Sequence, residues 1–275
     1  MTIAEISNKP ISIIKNSTIS DAIKMLLNTK ISRLIVNDGG KHIGIITEKD
    51  IGLFLFSETT KRGLEEIPVT EIMRPIEFVE EDTDPKNAAK IMIEKGISSL
   101  CTGDKQEVKA IVTKSDFVKY FARRLLEKNK VVDFMTHDYE FTHTAAPLYK
   151  VVRKMLEKKI SRIIVKNQQE EPVGIISFRD LFRVSIELGS EDDFSGTNFD
   201  NVRRGFLSEE GFGDISLARD VMTKGLITIK FNEDLAEACN VLLENNVSGL
   251  VVLDGNGSIA GIISKSDVAK ALASQ

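Results

Sequence analysis

Tryptophan is missing from this 275-residue chain, cysteine occurs twice and histidine three times. Two cysteines cannot supply the disulfide framework of a small secreted domain, and both lie in apolar stretches where a thiol packs as a small hydrophobe. Cys101 and Cys239 are therefore expected to be free, in a reducing compartment. His42, His137 and His143 share no ligand spacing with them, so no metal site is expected and the histidines read as surface or turn residues. Long apolar runs are also missing. None approaches the ~18–20 residues that cross a bilayer, and the opening MTIAEISNKP lacks the apolar core of a secretory signal. The expectation is a soluble, cytoplasmic protein with no membrane contact. Nor is there an excess of positive charge: Lys and Arg number 37 against 41 Asp and Glu, giving a net charge of −4 and a pI of about 5.6. Nucleic acid is not an expected partner on that balance. The basic stretches at 119–130 and 158–162 read as helix surface and strand positions. Neither a phosphate-cradling G-x-x-x-x-G-K-[ST] loop nor a G-x-S-x-G nucleophile turn occurs. Enzymatic activity is not expected, and no catalytic residue is assigned.

What is present suits a folded protein. Hydrophobic residues make up 42% and charged residues 28%, enough to bury a core, over a length that suits two ordinary domains of about 100–200 residues. The clearest feature is self-similarity. ISRLIV (31–36), ISSLCT (97–102), ISRIIV (160–165) and VSGLVV (247–252) are variants of one strand phrase. Each follows an amphipathic helical pattern, with apolar residues three and four apart, as in Ala22, Met25 and Leu26 or Val151, Met155 and Leu156. Asp84 before Pro85, and Asn232 ahead of EDLAEA, read as helix N-caps. A polar turn follows each strand phrase; NDGG (37–40) and DGNG (254–257) carry hairpin chemistry. Next come GIITEKD (44–50), AIVTKSD (110–116), GIISFRD (174–180) and GIISKSD (261–267), each a strand ending in Thr or Ser with Asp three positions on. Another helical pattern continues from there. Met introduces three units, in IMRP (72–75), FMTH (134–137) and VMTK (221–224), whereas ISNKP holds that place in the first.

Four strand–helix–strand–strand–helix units follow, an α/β (α+β) architecture of βαββα repeats at 1–60, 61–128, 129–188 and 218–275. The aspartates of the second phrase are 66, 64 and 87 residues apart. The surplus at 189–217, rich in Gly, Ser and Asp, reads as an inserted loop. Ser-Arg in the first and third strand phrases alternates with Ser-Ser and Ser-Gly in the second and fourth, as expected of a duplicated pair.

The Met-led opening, the helix followed by x-x-S-R-h-h-V and the G-h-h-T/S-x-x-D phrase together resemble the CBS domain, the repeat named from cystathionine β-synthase. Four copies cover nearly the whole chain apart from the insert. The architecture resembles the gamma subunit of the AMP-activated protein kinase, which also carries four. The resemblance implies two pseudo-twofold modules, each a pair of repeats joined through their sheets, assembled as a disc that is a monomer or a homodimer. It implies a non-enzymatic regulator whose clefts bind an adenosine-containing ligand: AMP, ADP or ATP, or in some relatives S-adenosylmethionine or NAD. No other cofactor is implied, and occupancy would be passed to a protein partner. A scaffold without ligand is the alternative.

Thr47 with Asp50, Thr113 with Asp116, Ser177 with Asp180 and Ser264 with Asp267 carry two readings. Each pair is a helix N-cap with a reciprocating acid. Yet the acid is Asp each time, not the longer Glu or Gln of the usual capping box. A short carboxylate can accept hydrogen bonds from vicinal ribose hydroxyls, at a helix start whose free N–H groups favour phosphate. One helix start can serve both purposes. Arg33 and Arg162 interrupt strands that should be buried on one face. Either they snorkel to a sheet edge, or they hold a guanidinium over a cleft for bidentate phosphate contact, as the resemblance implies. Paired repeats build a cleft from both members, so Arg33 is expected at the site marked by Asp116 and Arg162 at the site marked by Asp267. The sites of Asp50 and Asp180 are offered Ser99 and Gly249 instead, and are expected to be empty or to take a ligand without phosphate. Ala110 replaces the usual Gly and is expected to narrow the backbone approach to adenine. Ser32 and Ser161 stand where the kinase subunit has His, which removes one phosphate donor.

Overall fold

The computed structural model describes residues 1–57, 62–187 and 216–275. The expected insert at 189–217 lies outside the described residues except for its last two positions. Repeat 1 contains a 3-10 turn (Ile3–Glu5), β1 (Ser12–Ile14), α1 (Ile19–Thr29), β2 (Arg33–Asp38), β3 (Lys41–Thr47) and α2 (Glu48–Ser57). Repeat 2 contains a 3-10 turn (Val69–Glu71), α3 (Pro85–Glu94), β4 (Ser99–Gly103), β5 (Val108–Thr113) and α4 (Lys114–Arg124). Its leading strand shrinks to one parallel bridge, Phe78 to Cys101. Repeat 3 contains a 3-10 turn (Val131–Asp133), β6 (Phe141–His143), α5 (Leu148–Glu157), β7 (Arg162–Lys166), β8 (Pro172–Ser177) and α6 (Phe178–Glu187). Repeat 4 contains α7 (Ala218–Val221), β9 (Thr223–Lys224), β10 (Thr228–Lys230), α8 (Leu235–Glu244), β11 (Gly249–Leu253), β12 (Ile259–Ser264) and α9 (Lys265–Ala273).

Local chemistry sets the boundaries. Thr18 caps α1 reciprocally with Asp21, the helix buries Ile19, Ala22, Ile23 and Leu26, and Lys30 closes it in the left-handed region at φ 55°. Asp84 caps α3, accepting from the Lys86 amide at 2.8 Å, with Pro85 in the first turn. The expected cap Asn232 is corrected: Asp234 caps α8, accepting from the Ala236 amide at 2.7 Å. The fully buried Leu235 is the first residue that the core requires to be helical. Between β2 and β3 the chain reverses through Gly39 and Gly40, at φ 57° and 94°, the positive values that a two-residue hairpin turn demands.

In repeats 1, 3 and 4 the leading strand runs parallel to the middle strand, and the middle strand is antiparallel to the last. The two faces of these small sheets have different partners. On one face Ile35 and Ile45 of repeat 1 meet Cys101, Val108 and Ile111 of repeat 2. Ile164 of repeat 3 likewise meets Val251 and Ile262 of repeat 4. The other faces carry the helices, which join the two pairs. Phe117, Phe121 and Ala89 of repeat 2 share a core with Leu242, Val268 and Leu272 of repeat 4. Ile51 and Leu55 of repeat 1 share one with Leu181 and Phe182 of repeat 3. Going round, the order is 1, 2, 4, 3 and back to 1. Two sheet-paired modules close into a ring through their helices, the disc that the resemblance implied.

Candidate functional site

Each second helix of a repeat begins with the hydroxyl–acid pair, and each acid uses its two oxygens differently. One oxygen (Oδ2) of Asp50, Asp116, Asp180 and Asp267 turns back on the cap. It accepts from the main-chain N–H of Thr47, Thr113, Ser177 or Ser264 at 2.7–3.1 Å and from the same residue's hydroxyl at 2.6–2.7 Å. The other oxygen (Oδ1) is directed away from the cap. Asp116 accepts there from Asn8 Nδ2 at 2.9 Å and Lys119 Nζ at 3.3 Å, Asp180 from Thr223 Oγ1 at 2.7 Å, Asp267 from Lys270 Nζ at 2.9 Å, and Asp50 from Arg74 Nε. All four carboxylates are buried, between 3% and 7% exposed. Capping and presentation to a cleft are thus combined in one side chain. A Glu in the capping role would reach back from further out and leave its second oxygen elsewhere.

The strand arginines reach into the partner repeat. Arg33 donates from Nη1 to the carbonyl of Ser98 at 2.9 Å, and Arg162 donates from Nη2 to that of Ser248 at 2.9 Å. Those carbonyls also accept the first main-chain N–H of the partner's second helix, from Lys114 and Lys265. Each guanidinium is therefore anchored at the start of the helix whose aspartate was assigned to it. Burial pulls both guanidinium groups below their ordinary value, opposed chiefly by Asp116 for Arg33 and by Asp267 for Arg162. The alternation in the strand phrase has a steric cause: a Cβ on Gly249 would lie 2.8 Å from Arg162 Nε. The even repeats carry small residues where the odd repeats' arginines arrive. Ser32 Oγ also accepts from Arg33 Nη2, at 3.2 Å.

The glycines equivalent to Ala110 have a steric role of their own. The segment led by Met in the facing repeat crosses the last strand at the Gly position. A Cβ on Gly44 would meet Met73 Sδ at 2.5 Å, one on Gly174 would meet Met222 Sδ at 2.8 Å, and one on Gly261 would meet the Thr136 carbonyl at 2.5 Å. The segment crossing repeat 2 is the one without Met, bridging Asn8 to Ile111. Ser7 holds the methionine's place there, and its hydroxyl donates to the Ile3 carbonyl at 2.7 Å. The glycines make way for a crossing chain.

The two residues inside each T/S-x-x-D phrase, which sequence reasoning passed over, form the seams between modules. Lys114 Nζ donates to Ser266 Oγ at 3.1 Å while Lys265 Nζ donates to Ser115 Oγ at 3.0 Å. Arg179 pairs with Glu48 at 3.3 Å while Lys49 lies 5.4 Å above the Phe178 ring. A cavity of about 440 Å³ opens from the Asp116 cleft toward these seams, within the range of small-molecule sites. Ile31, Ile35 and Ile111 give it an apolar wall. Its charged lining is six cations (Lys9, Lys30, Arg33, Lys119, Arg179 and Lys265) against one acid, Asp116. Burial, with Arg179, Arg33 and Arg162 nearby, lowers the Lys265 ammonium to about 8 despite Asp116. Such a surface suits an anion with an apolar body and a diol. His42 lies elsewhere, accepting from the Val108 amide at 2.8 Å. Among the described residues no group of three His, Cys, Asp or Glu is placed to hold a metal, and no helix is long and apolar enough to cross a membrane.

The profile of the CBS domain matches residues 3–55, 69–123, 131–187 and 218–274. Protein MJ1225 of Methanocaldococcus jannaschii is 28% identical over 98% of this chain and 97% of its own length. Its crystal structure, described as that of a proposed archaeal homologue of g-AMPK, covers 98% of this chain and 99% of that one, with a TM-score of 0.80 at 24% identity. A conserved protein from Pyrococcus horikoshii covers 99% of this chain and 100% of its own, with a TM-score of 0.65 at 19% identity. At these identities the two superpositions establish the fold. Protein MK0525 of Methanopyrus kandleri is 29% identical over 43% of this chain and 50% of its own length.

Proposed function

The chain belongs to the CBS domain family, and on that premise we propose that it is a non-enzymatic regulatory protein that binds an adenine nucleotide, AMP first and then ADP or ATP, in the clefts between paired repeats. The observation that carries this reading is the cavity at the Asp116 cleft. It holds a buried carboxylate whose outward oxygen, Asp116 Oδ1, suits a ribose, an anchored guanidinium for a phosphate and an isoleucine wall for a base. The quasi-equivalent cleft of Asp267 and Arg162 is the second nucleotide site. The description of MJ1225 as a homologue of g-AMPK accords with the same reading.

Regulation follows from the ring. Arg33 and Asp116 belong to one module, whereas Arg179 and Lys265 belong to the other. A nucleotide whose phosphate reaches all of them binds the assembled ring more tightly than a loosened one. It shifts that equilibrium by its difference in affinity, and a protein partner reads the result. A thermal-shift series with AMP, ADP, ATP, adenosine and S-adenosylmethionine tests the reading. A ligand at 100 times its dissociation constant stabilises by about 2.7 kcal/mol, a rise of several degrees.

One observation favours a second reading, a scaffold whose clefts serve assembly alone. Every outward carboxylate oxygen of the four aspartates already meets a protein donor. Among the described residues no buried side-chain polar atom lacks a partner. A flat thermal series across all five compounds selects the scaffold.

A further inference from the structure

The four clefts are built alike, and the residue after the Met position of the crossing segment (Asn8, Arg74, Thr136 or Thr223) stands beside the aspartate of the facing repeat. Bridges fix this equivalence: Asn8 to Ile111, Arg74 to Ile45 and Thr136 to Ile262 are isolated, and Thr223 to Ile175 lies within the β8–β9 pair. The side chain at this place differs from cleft to cleft. Asn8 gives Asp116 a neutral amide and Thr223 gives Asp180 a hydroxyl. At Asp267 the crossing residue is Thr136, and the donor to Oδ1 is Lys270, from the aspartate's own helix and 55% exposed. At Asp50 it is Arg74, whose Nε forms an ion pair with the outward oxygen.

We propose that Arg74 latches the Asp50 cleft against nucleosides, making it a latent site beyond the two assigned above and setting how many nucleotides the ring can hold. The inference rests on the nucleotide reading above. A ribose diol needs the oxygen that Arg74 occupies, and the guanidinium stands where the diol would approach. Lys119 and Lys270 also reach the outward oxygens of Asp116 and Asp267, at 3.3 and 2.9 Å, but from the aspartates' own helices. Arg74 comes from the facing repeat's crossing segment, and displacing its charge-assisted bond to a carboxylate that is 7% exposed costs on the order of tenfold or more in affinity. The strand phrase agrees independently: repeat 2 supplies Ser99 where the other arrangement supplies an arginine, so a phosphate at Asp50 gains nothing to offset the loss. Arg74 itself is 63% exposed and is absent from the buried clusters, so its removal leaves the core intact.

Equilibrium dialysis with AMP into the millimolar range counts the sites. Arg74→Ala should take up one equivalent more than the unmodified protein, and Asp50→Asn added to Arg74→Ala should remove it again. The reciprocal variant, Thr136→Arg, builds the latch at Asp267 and should weaken one existing site tenfold or more. Equal stoichiometry in Arg74→Ala and the unmodified protein, with AMP binding otherwise intact, overturns the latch and leaves the nucleotide reading standing. An unmodified protein that takes up no AMP overturns the reading, and the latch with it. The Gln variant at position 74, which cannot form the ion pair yet keeps a long polar side chain, should behave as Arg74→Ala does; wild-type stoichiometry in Arg74→Gln would assign the effect to bulk and overturn the ion-pair latch.

Discussion

Nucleotide affinity at the Asp116 cleft should depend on pH between 7 and 9, through Lys265. This ammonium lies in the cavity with its Nζ 3.0 Å from Ser115 Oγ. Burial and then three guanidinium groups, those of Arg179, Arg33 and Arg162, press its pKa from 10.5 down to about 8, with Asp116 pulling the other way. The folded, ligand-free protein therefore holds Lys265 half neutral near pH 8, and about nine tenths neutral at pH 9. A phosphate entering the cavity supplies the counter-charge and returns the proton. AMP itself does not titrate in this window, because a phosphate monoester loses its second proton near pH 6. Affinity should thus be level below about pH 8 and fall by up to about tenfold for each unit above it, with uptake of roughly half a proton per site at pH 8. Calorimetry in two buffers of different ionisation enthalpy reads that uptake. In Lys265→Met the aliphatic stem is retained, so affinity should be lower and flat across the range. For the free protein the sign is the opposite. A depressed lysine pKa adds stability that is complete above the unfolded value of 10.5 and is lost as the pH falls through about 8. A wild-type affinity that changes no more with pH than that of Lys265→Met refutes the linkage.

Gly249→Ala sets a methyl group against the Arg162 guanidinium, the movable end of a flexible side chain. Arg162 should swing away, with AMP affinity at the Asp267 cleft falling on the order of tenfold or more while the melting temperature hardly moves. Phe121→Ala removes a fully buried ring from the core shared by repeats 2 and 4 and should cost about 3–5 kcal/mol in a denaturant titration. Burial raises the Cys101 thiol to about 12, and Cys239 higher still. Both should therefore resist a thiol reagent at pH 8 until the chain unfolds.

The sequence carried the repeats because each unit writes its own local signals: helical spacing, turn glycines, and a hydroxyl with Asp three positions on. The pairing of Arg33 with Asp116 and of Arg162 with Asp267 was expected through the resemblance, which implies that repeats pair and build each cleft from both members. Its cause, room for a guanidinium over Gly249, was not. The seams stayed hidden for a plain reason. Lys114 meets Ser266 and Arg179 meets Glu48 across more than 130 residues, and each dipeptide taken alone is an ordinary first helical turn. Asn232 lost the cap to Asp234 because burial of Leu235, a tertiary demand, fixes where α8 begins.

Calorimetric titration of AMP into the wild type, Arg33→Ala and Arg162→Ala tests most directly whether each strand arginine holds a phosphate for the partner repeat's aspartate. The account predicts that each substitution weakens one site by roughly tenfold or more and leaves the other untouched, and that the double variant loses both. Unchanged isotherms in both single variants would contradict it.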